Sequence, residues 1–79
     1  MNDERFERVA AAFNAAFGTD RADINLESMP ADIPGWDSLG HVKLVSELER
    51  VFETAFEVDE VMEMEDVAAI LRLLTARGF

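Results

Sequence analysis

The chain has 79 residues, 49% of them hydrophobic and 30% charged, a balance that supports one packed core of modest size and excludes both a disordered tail and a multidomain enzyme. Its 17 acidic and 7 basic side chains give a formal charge of −10, which sets the surface against nucleic acid and anionic membranes and favours basic partners. Cysteine is absent, so neither a disulfide nor a thiolate metal site staples the core, and any thiol chemistry needs a sulfur from outside the polypeptide.

The opening MNDERFERVA carries no apolar signal segment. No run of about 18 apolar residues occurs anywhere in the sequence. The expectation is a single domain over residues 1–79, cytoplasmic and monomeric. Apolar residues Phe6, Val9, Ala10, Phe13 and Phe17 then recur at the spacing of one helical stripe. Asn2 is the expected N-cap, Asp3 and Glu4 suit the positive end of the dipole, and Gly18 ends the helix.

Residues 18 to 36 hold both prolines and two of the four glycines. A connection this long is expected to pack down rather than hang free, with Ile24, Leu26, Met29 and Ile33 as anchors and Pro34-Gly35 as a tight turn. Asp37 caps a second helix that starts at Ser38 and runs to about Ala55. On the helical wheel His41, Leu44, Val45, Leu48, Val51, Phe52 and Ala55 form its core face, and Leu39 and Val42 turn outward beside Ser38. Phe56 to Asp66 accommodates a short third helix. Asp66 caps a fourth, which runs to about Ala76 with Val67, Ile70, Leu71 and Leu74 on one face. The predicted class is all-α: a small four-helix bundle of three longer helices and one short helix.

Ser38 and His41 are helical neighbours at i, i+3 and can approach each other, so a serine and histidine pair is geometrically conceivable. Catalysis would further need an acid on the imidazole, oxyanion donors and a cleft, and so small a bundle offers none, so His41 is expected to fill a half-buried position and satisfy a backbone group. No residue is assigned a catalytic role. Asp20, Asp23, Asn25 and Glu27 crowd one loop with oxygen ligands, yet Ser28 stands where a calcium loop starting at Asp23 needs glycine, so no metal site is assigned. Met62 and Met64 are expected to serve packing. From Glu47 to Asp66 nine acids face one base, Arg50; this run is either a solvated face or an acidic docking surface for basic partners.

The stretch Gly35-Trp36-Asp37-Ser38-Leu39-Gly40-His41-Val42, followed by Lys43-Leu44-Val45, closely resembles the modification site of acyl carrier proteins. The resemblance covers essentially the whole chain, from the first amphipathic helix through the long loop to the acidic third and apolar fourth helices. It implies that Ser38 is esterified by 4′-phosphopantetheine, delivered from coenzyme A by a magnesium-dependent phosphopantetheinyl transferase. The arm's thiol would then carry acyl or aminoacyl groups as thioesters between a loading enzyme and downstream acyl-using enzymes. Asp37 would assist the transferase, and Leu39 and Val42 would belong to the surface that partners grip. Gly40 and Lys43 stand where carriers of fatty acid synthesis place acids. Together with Trp36 and the Gly-His pair, they favour polyketide, nonribosomal peptide, aminoacyl or glycan-modifying biosynthesis over a fatty acid synthesis carrier. The alternative of another class is an unmodified acidic helical adaptor for a basic protein.

Overall fold

A computed structural model describes residues 4–79, and every regular element among them is helical. Helix α1 spans Glu4–Phe17, α2 Ser38–Phe52, α3 Val58–Met62 and α4 Val67–Ala76. Asn2 and Asp3, the expected start signals of α1, lie outside the described residues. Two single 3₁₀ turns, Arg21–Asp23 and Pro30–Asp32, shape the long connection between α1 and α2.

Helix α1 buries Val9, Ala10 and Phe13 as its stripe predicts, while Phe6 and Phe17 are only partly covered. Ala12 and Ala16 are buried as well. Small side chains there widen the contact face of α1, which packs chiefly against α2 and more lightly against α4. The fully enclosed centre consists of Val9 and Phe13 from α1, Leu44 and Leu48 from α2, and Val67, Ile70 and Leu74 from α4. Burying each of these side chains is worth roughly 1.5–3 kcal/mol.

Helix α2 ends three residues earlier than its apolar pattern suggests. Glu53 takes the left-handed conformation at φ 52, ψ 50, and the N–H groups of Glu53 and Thr54 both donate to the Glu49 carbonyl. The Glu49 carboxylate then accepts the Phe56 N–H at 2.9 Å, which draws the chain away from the helical path. Ala55 therefore lies past the helix and is exposed, and Val51 is half-buried. A non-glycine residue in the left-handed region costs about 1–2 kcal/mol, so nothing in the local sequence announces this stop.

Of the four expected loop anchors, Ile24 and Ile33 are buried, but Leu26 and Met29 are exposed. The loop turns between them, with the Asn25 side chain accepting the Glu27 N–H and the buried Ser28 hydroxyl accepting the Asn25 N–H. Ser28 supplies the missing anchorage. Its carbonyl accepts the N–H of Val67, the first residue of α4, at 3.0 Å, and so fastens the loop to the start of that helix. Asp66 caps α4 through Ala69 N–H at 2.7 Å, as its position predicts. Met64 lies in the core, whereas Met62 faces solvent.

Candidate functional site

The connection from loop to α2 is built on a turn at Ile33–Trp36, closed by the Trp36 N–H on the Ile33 carbonyl at 3.1 Å. Proline second and a glycine with φ +95 third are the residues such a turn selects, so the expected Pro34-Gly35 turn is present. Next, the Gly35 carbonyl accepts the Asp37 N–H at 3.0 Å and presses against residue 40. A Cβ on residue 40 would stand 1.8 Å from that oxygen, and only glycine fits there.

Asp37 is extended, and its carboxylate accepts the Gly40 N–H at 2.8 Å, the predicted N-cap. Its carbonyl begins the helix by accepting the His41 N–H at 2.7 Å. Ser38 is the first helical residue and is exposed. The N–H groups of Ser38 and Leu39 precede the first intrahelical bond, and the first turn of α2 contains no acidic residue. Oriented amides and the positive dipole end suit a phosphate esterified on the Ser38 oxygen.

Two apolar side chains of the same helix start are exposed. Leu39 is 85% exposed and Val42 64%, the outward placement that the helical wheel requires. On α3, Val58 is 77% exposed and Met62 73%, one turn apart on the same side of that helix. Sequence reasoning missed both. A five-residue helix carries too little periodicity to tell its inner face from its outer one, and the only available signal was their i, i+4 spacing.

His41 is half-buried and contributes nothing to a Ser-His pair, because both ring nitrogens have other partners. Trp36 Nε1–H donates to His41 Nδ1 at 2.8 Å, and His41 Nε2 lies 2.9 Å from the Val61 carbonyl. The expectation that His41 satisfies a backbone group is met on α3. Trp36 itself is a core residue, edge-on to Phe13 with ring centroids 5.0 Å apart.

The acidic run divides by role. Glu47 pairs with Arg50, Glu49 holds Phe56 N–H, Glu60 pairs with Arg77, and Asp66 caps α4. These four carboxylates serve the fold itself, so the face left for a basic partner is smaller than the bare count implies. Among the described residues no three or more His, Cys, Asp or Glu side chains gather to hold a metal ion, in the Asp20–Glu27 loop or elsewhere. None of the helices described is long and apolar enough to cross a membrane.

The described residues thus form a small all-helical bundle whose second helix opens on an exposed serine behind the Asp37 cap. The family of domains described as the phosphopantetheine attachment site matches residues 7–74, and the chain belongs to that family. Domains of this family bear 4′-phosphopantetheine covalently, are not themselves enzymes, and work with phosphopantetheinyl transferases and acyl-handling enzymes. Comparison with curated proteins and with solved structures returned no match.

Proposed function

We propose that Ser38 is the residue that receives 4′-phosphopantetheine and that the protein shuttles acyl or aminoacyl groups between partner enzymes. The observation that carries this reading is the exposed Ser38 side chain at the first position of α2, beside two amides that precede the first helical hydrogen bond. Its oxygen would bond to the phosphorus of coenzyme A nearest the pantetheine as the pyrophosphate link breaks. The hydroxyl proton goes to a base on the transferase, and the nucleotide half departs. Once attached, the arm supplies a thiol that holds the cargo as a thioester, the chemistry that a chain without cysteine lacks.

Asp37, Leu39 and Val42 belong to the same proposal: the carboxylate beside the incoming group, and the two apolar side chains as part of the partner footprint. For the pathway, specialised biosynthesis of polyketide, nonribosomal peptide, aminoacyl or glycan-modifying type is supported by Lys43, an exposed cation one turn after Leu39 where carriers of fatty acid synthesis place an acid. Gly40 has a packing reason of its own and adds little to this assignment. A cytoplasmic, monomeric carrier domain over residues 1–79 completes the reading, the monomer supported by the mutual repulsion expected at a net charge of −10.

Intact-mass measurement tests the assignment. Incubation with coenzyme A, magnesium and a broad-specificity phosphopantetheinyl transferase should add one phosphopantetheine to the wild-type chain and none to Ser38→Ala. A wild-type chain left unmodified beside a control carrier that is modified would overturn it, as would a modified Ser38→Ala.

A further inference from the structure

The turn Asp37–Gly40 is bracketed by two rings that bond to one another. On its N-terminal side Trp36 is buried and held by its edge contact with Phe13. On its C-terminal side the His41 ring lies edge to edge with Trp36 in nearly the same orientation, ring centroids 6.2 Å apart and planes within 9°. An indole N–H can only donate, so His41 Nδ1 accepts it, and the single ring proton of the neutral imidazole sits on Nε2 and is donated to the Val61 carbonyl. One imidazole thereby fixes the end of the loop, the start of α2 and the middle of α3.

Ser38 is not among the groups that His41 contacts, and the influence runs through the backbone. The turn has three other ties: Asp37 N–H on the Gly35 carbonyl, Gly40 N–H on the Asp37 carboxylate, and His41 N–H on the Asp37 carbonyl. These bonds are local and lie at an exposed helix start, the part of a helix that opens most readily. Buried Trp36 and the packing of Phe17 against Gly35 and Gly40 tie the turn to the core, and the imidazole adds the tie to α3, which buries no residue of its own completely.

We propose that His41 is a positioning residue for modification at Ser38: the Trp36–His41–Val61 hydrogen-bond chain holds the 37–40 turn, and with it the Ser38 hydroxyl, in the conformation that a phosphopantetheinyl transferase engages. This rests on the reading of Ser38 as the attachment residue. Loss of the chain leaves the serine in place but lets the turn sample other conformations, so the carrier is captured less often while the captured form reacts as before.

The test compares His41→Phe, which keeps a ring of similar size without either polar bond, with His41→Gln, whose amide oxygen can accept from Trp36 while its N–H donates to Val61. Trp36→Phe removes the donor and leaves the imidazole in place. Each 79-residue variant is assayed for transfer from coenzyme A by a broad-specificity transferase, and amide hydrogen exchange at Asp37 and Gly40, whose N–H groups are bonded within the turn, is measured in the unmodified protein. Leaving the indole N–H and the Val61 carbonyl unpartnered should raise the KM for the carrier about tenfold in His41→Phe, with kcat within about twofold. Exchange in the turn should accelerate to a similar degree, and His41→Gln should recover most of both effects.

A folded His41→Phe with wild-type KM and exchange would overturn the proposal. So would equal loss in the Phe and Gln variants, which would mark the shape of the imidazole rather than its bonds as the cause. Should His41→Phe fail to fold, Trp36→Phe decides: a raised KM with faster exchange supports the chain of bonds, and wild-type values refute it. A wild-type protein that accepts no phosphopantetheine would defeat the assignment of Ser38, while the exchange data would still decide whether the ring holds the turn.

Discussion

Between the Gly35 carbonyl and the first turn of α2 there is no space for a methyl group. The carbonyl oxygen belongs to a backbone pinned on one side by the Ile33–Trp36 turn and on the other by the Asp37 N–H, and Phe17 closes the remaining side. Neither neighbour yields cheaply. Gly40→Ala should therefore cost about 1–3 kcal/mol of stability, at the upper end because backbone rather than a flexible side chain must move. Urea unfolding with unchanged slope checks this, and a cost under half a kcal/mol would show that the turn relaxes freely. At Asp37 a cap is worth about 1 kcal/mol, and the carboxylate that provides it stands next to the proposed attachment oxygen, so one side chain serves both stability and site.

Among the elements, α3 is the one held mainly by polar ties. Besides the His41–Val61 bond, Glu60 receives Arg77 at 2.9 Å and 3.0 Å and the Glu57 N–H at 2.7 Å. Arg77 also reaches the Thr54 hydroxyl and lies over the Phe56 ring, so it links α3 and the turn before it to the end of α4. The Arg77 guanidinium, with help from the Glu57 amide, holds the Glu60 carboxyl below the usual glutamate range, and Glu60 in turn raises Arg77.

The pH dependence of α3 follows from these directions. A depressed carboxyl contributes stability that is fully present above its unfolded value, about pH 4.3, and is lost as pH falls through the lower folded value. Glu60→Gln should thus lower the thermal midpoint at neutral pH, with the gap from wild type closing as both are acidified below about pH 4. A gap of constant size across that range would mean that the charge of Glu60 contributes nothing. The Glu7–Arg21 pair, half-exposed on α1 and the loop, shows the same depression of its carboxyl but is screened by solvent and adds little.

Over the whole molecule one ring links core and site. Phe13 is fully buried at the centre of α1, meets the edge of Trp36, and lies 6.0 Å between centroids from Phe17, the side chain that borders Gly35 and Gly40. Removing it leaves a cavity that Ala10, Ala12 and Ala16 are too small to fill. Phe13→Ala should cost about 3–5 kcal/mol, a large share of the stability of so small a domain, and should also free the Trp36 indole. Urea unfolding and the tryptophan emission of the folded fraction read the two effects; a loss below 1 kcal/mol with unaltered emission would separate core from site.

The four helices, the Asp37 and Asp66 caps, the Pro34-Gly35 turn and the outward Leu39 and Val42 were all legible in the sequence, because each depends on residues within a turn or two of one another. The stretch that resembles the modification site of acyl carrier proteins is likewise local, being eight consecutive residues. Other features depend on which distant groups meet. The Glu49 carboxylate ends α2 early by capturing Phe56, Ser28 rather than Leu26 or Met29 anchors the loop by reaching Val67, and Gly40 is needed because the Gly35 carbonyl lies against it. His41 could be placed at the edge of the core from its position on the helix, but its partners could not, since Trp36 and Val61 come to it only when the loop and α3 pack against α2. Short-range spacing determines helices and their faces; satisfaction of buried polar groups over long separations in the chain is decided only when the bundle closes.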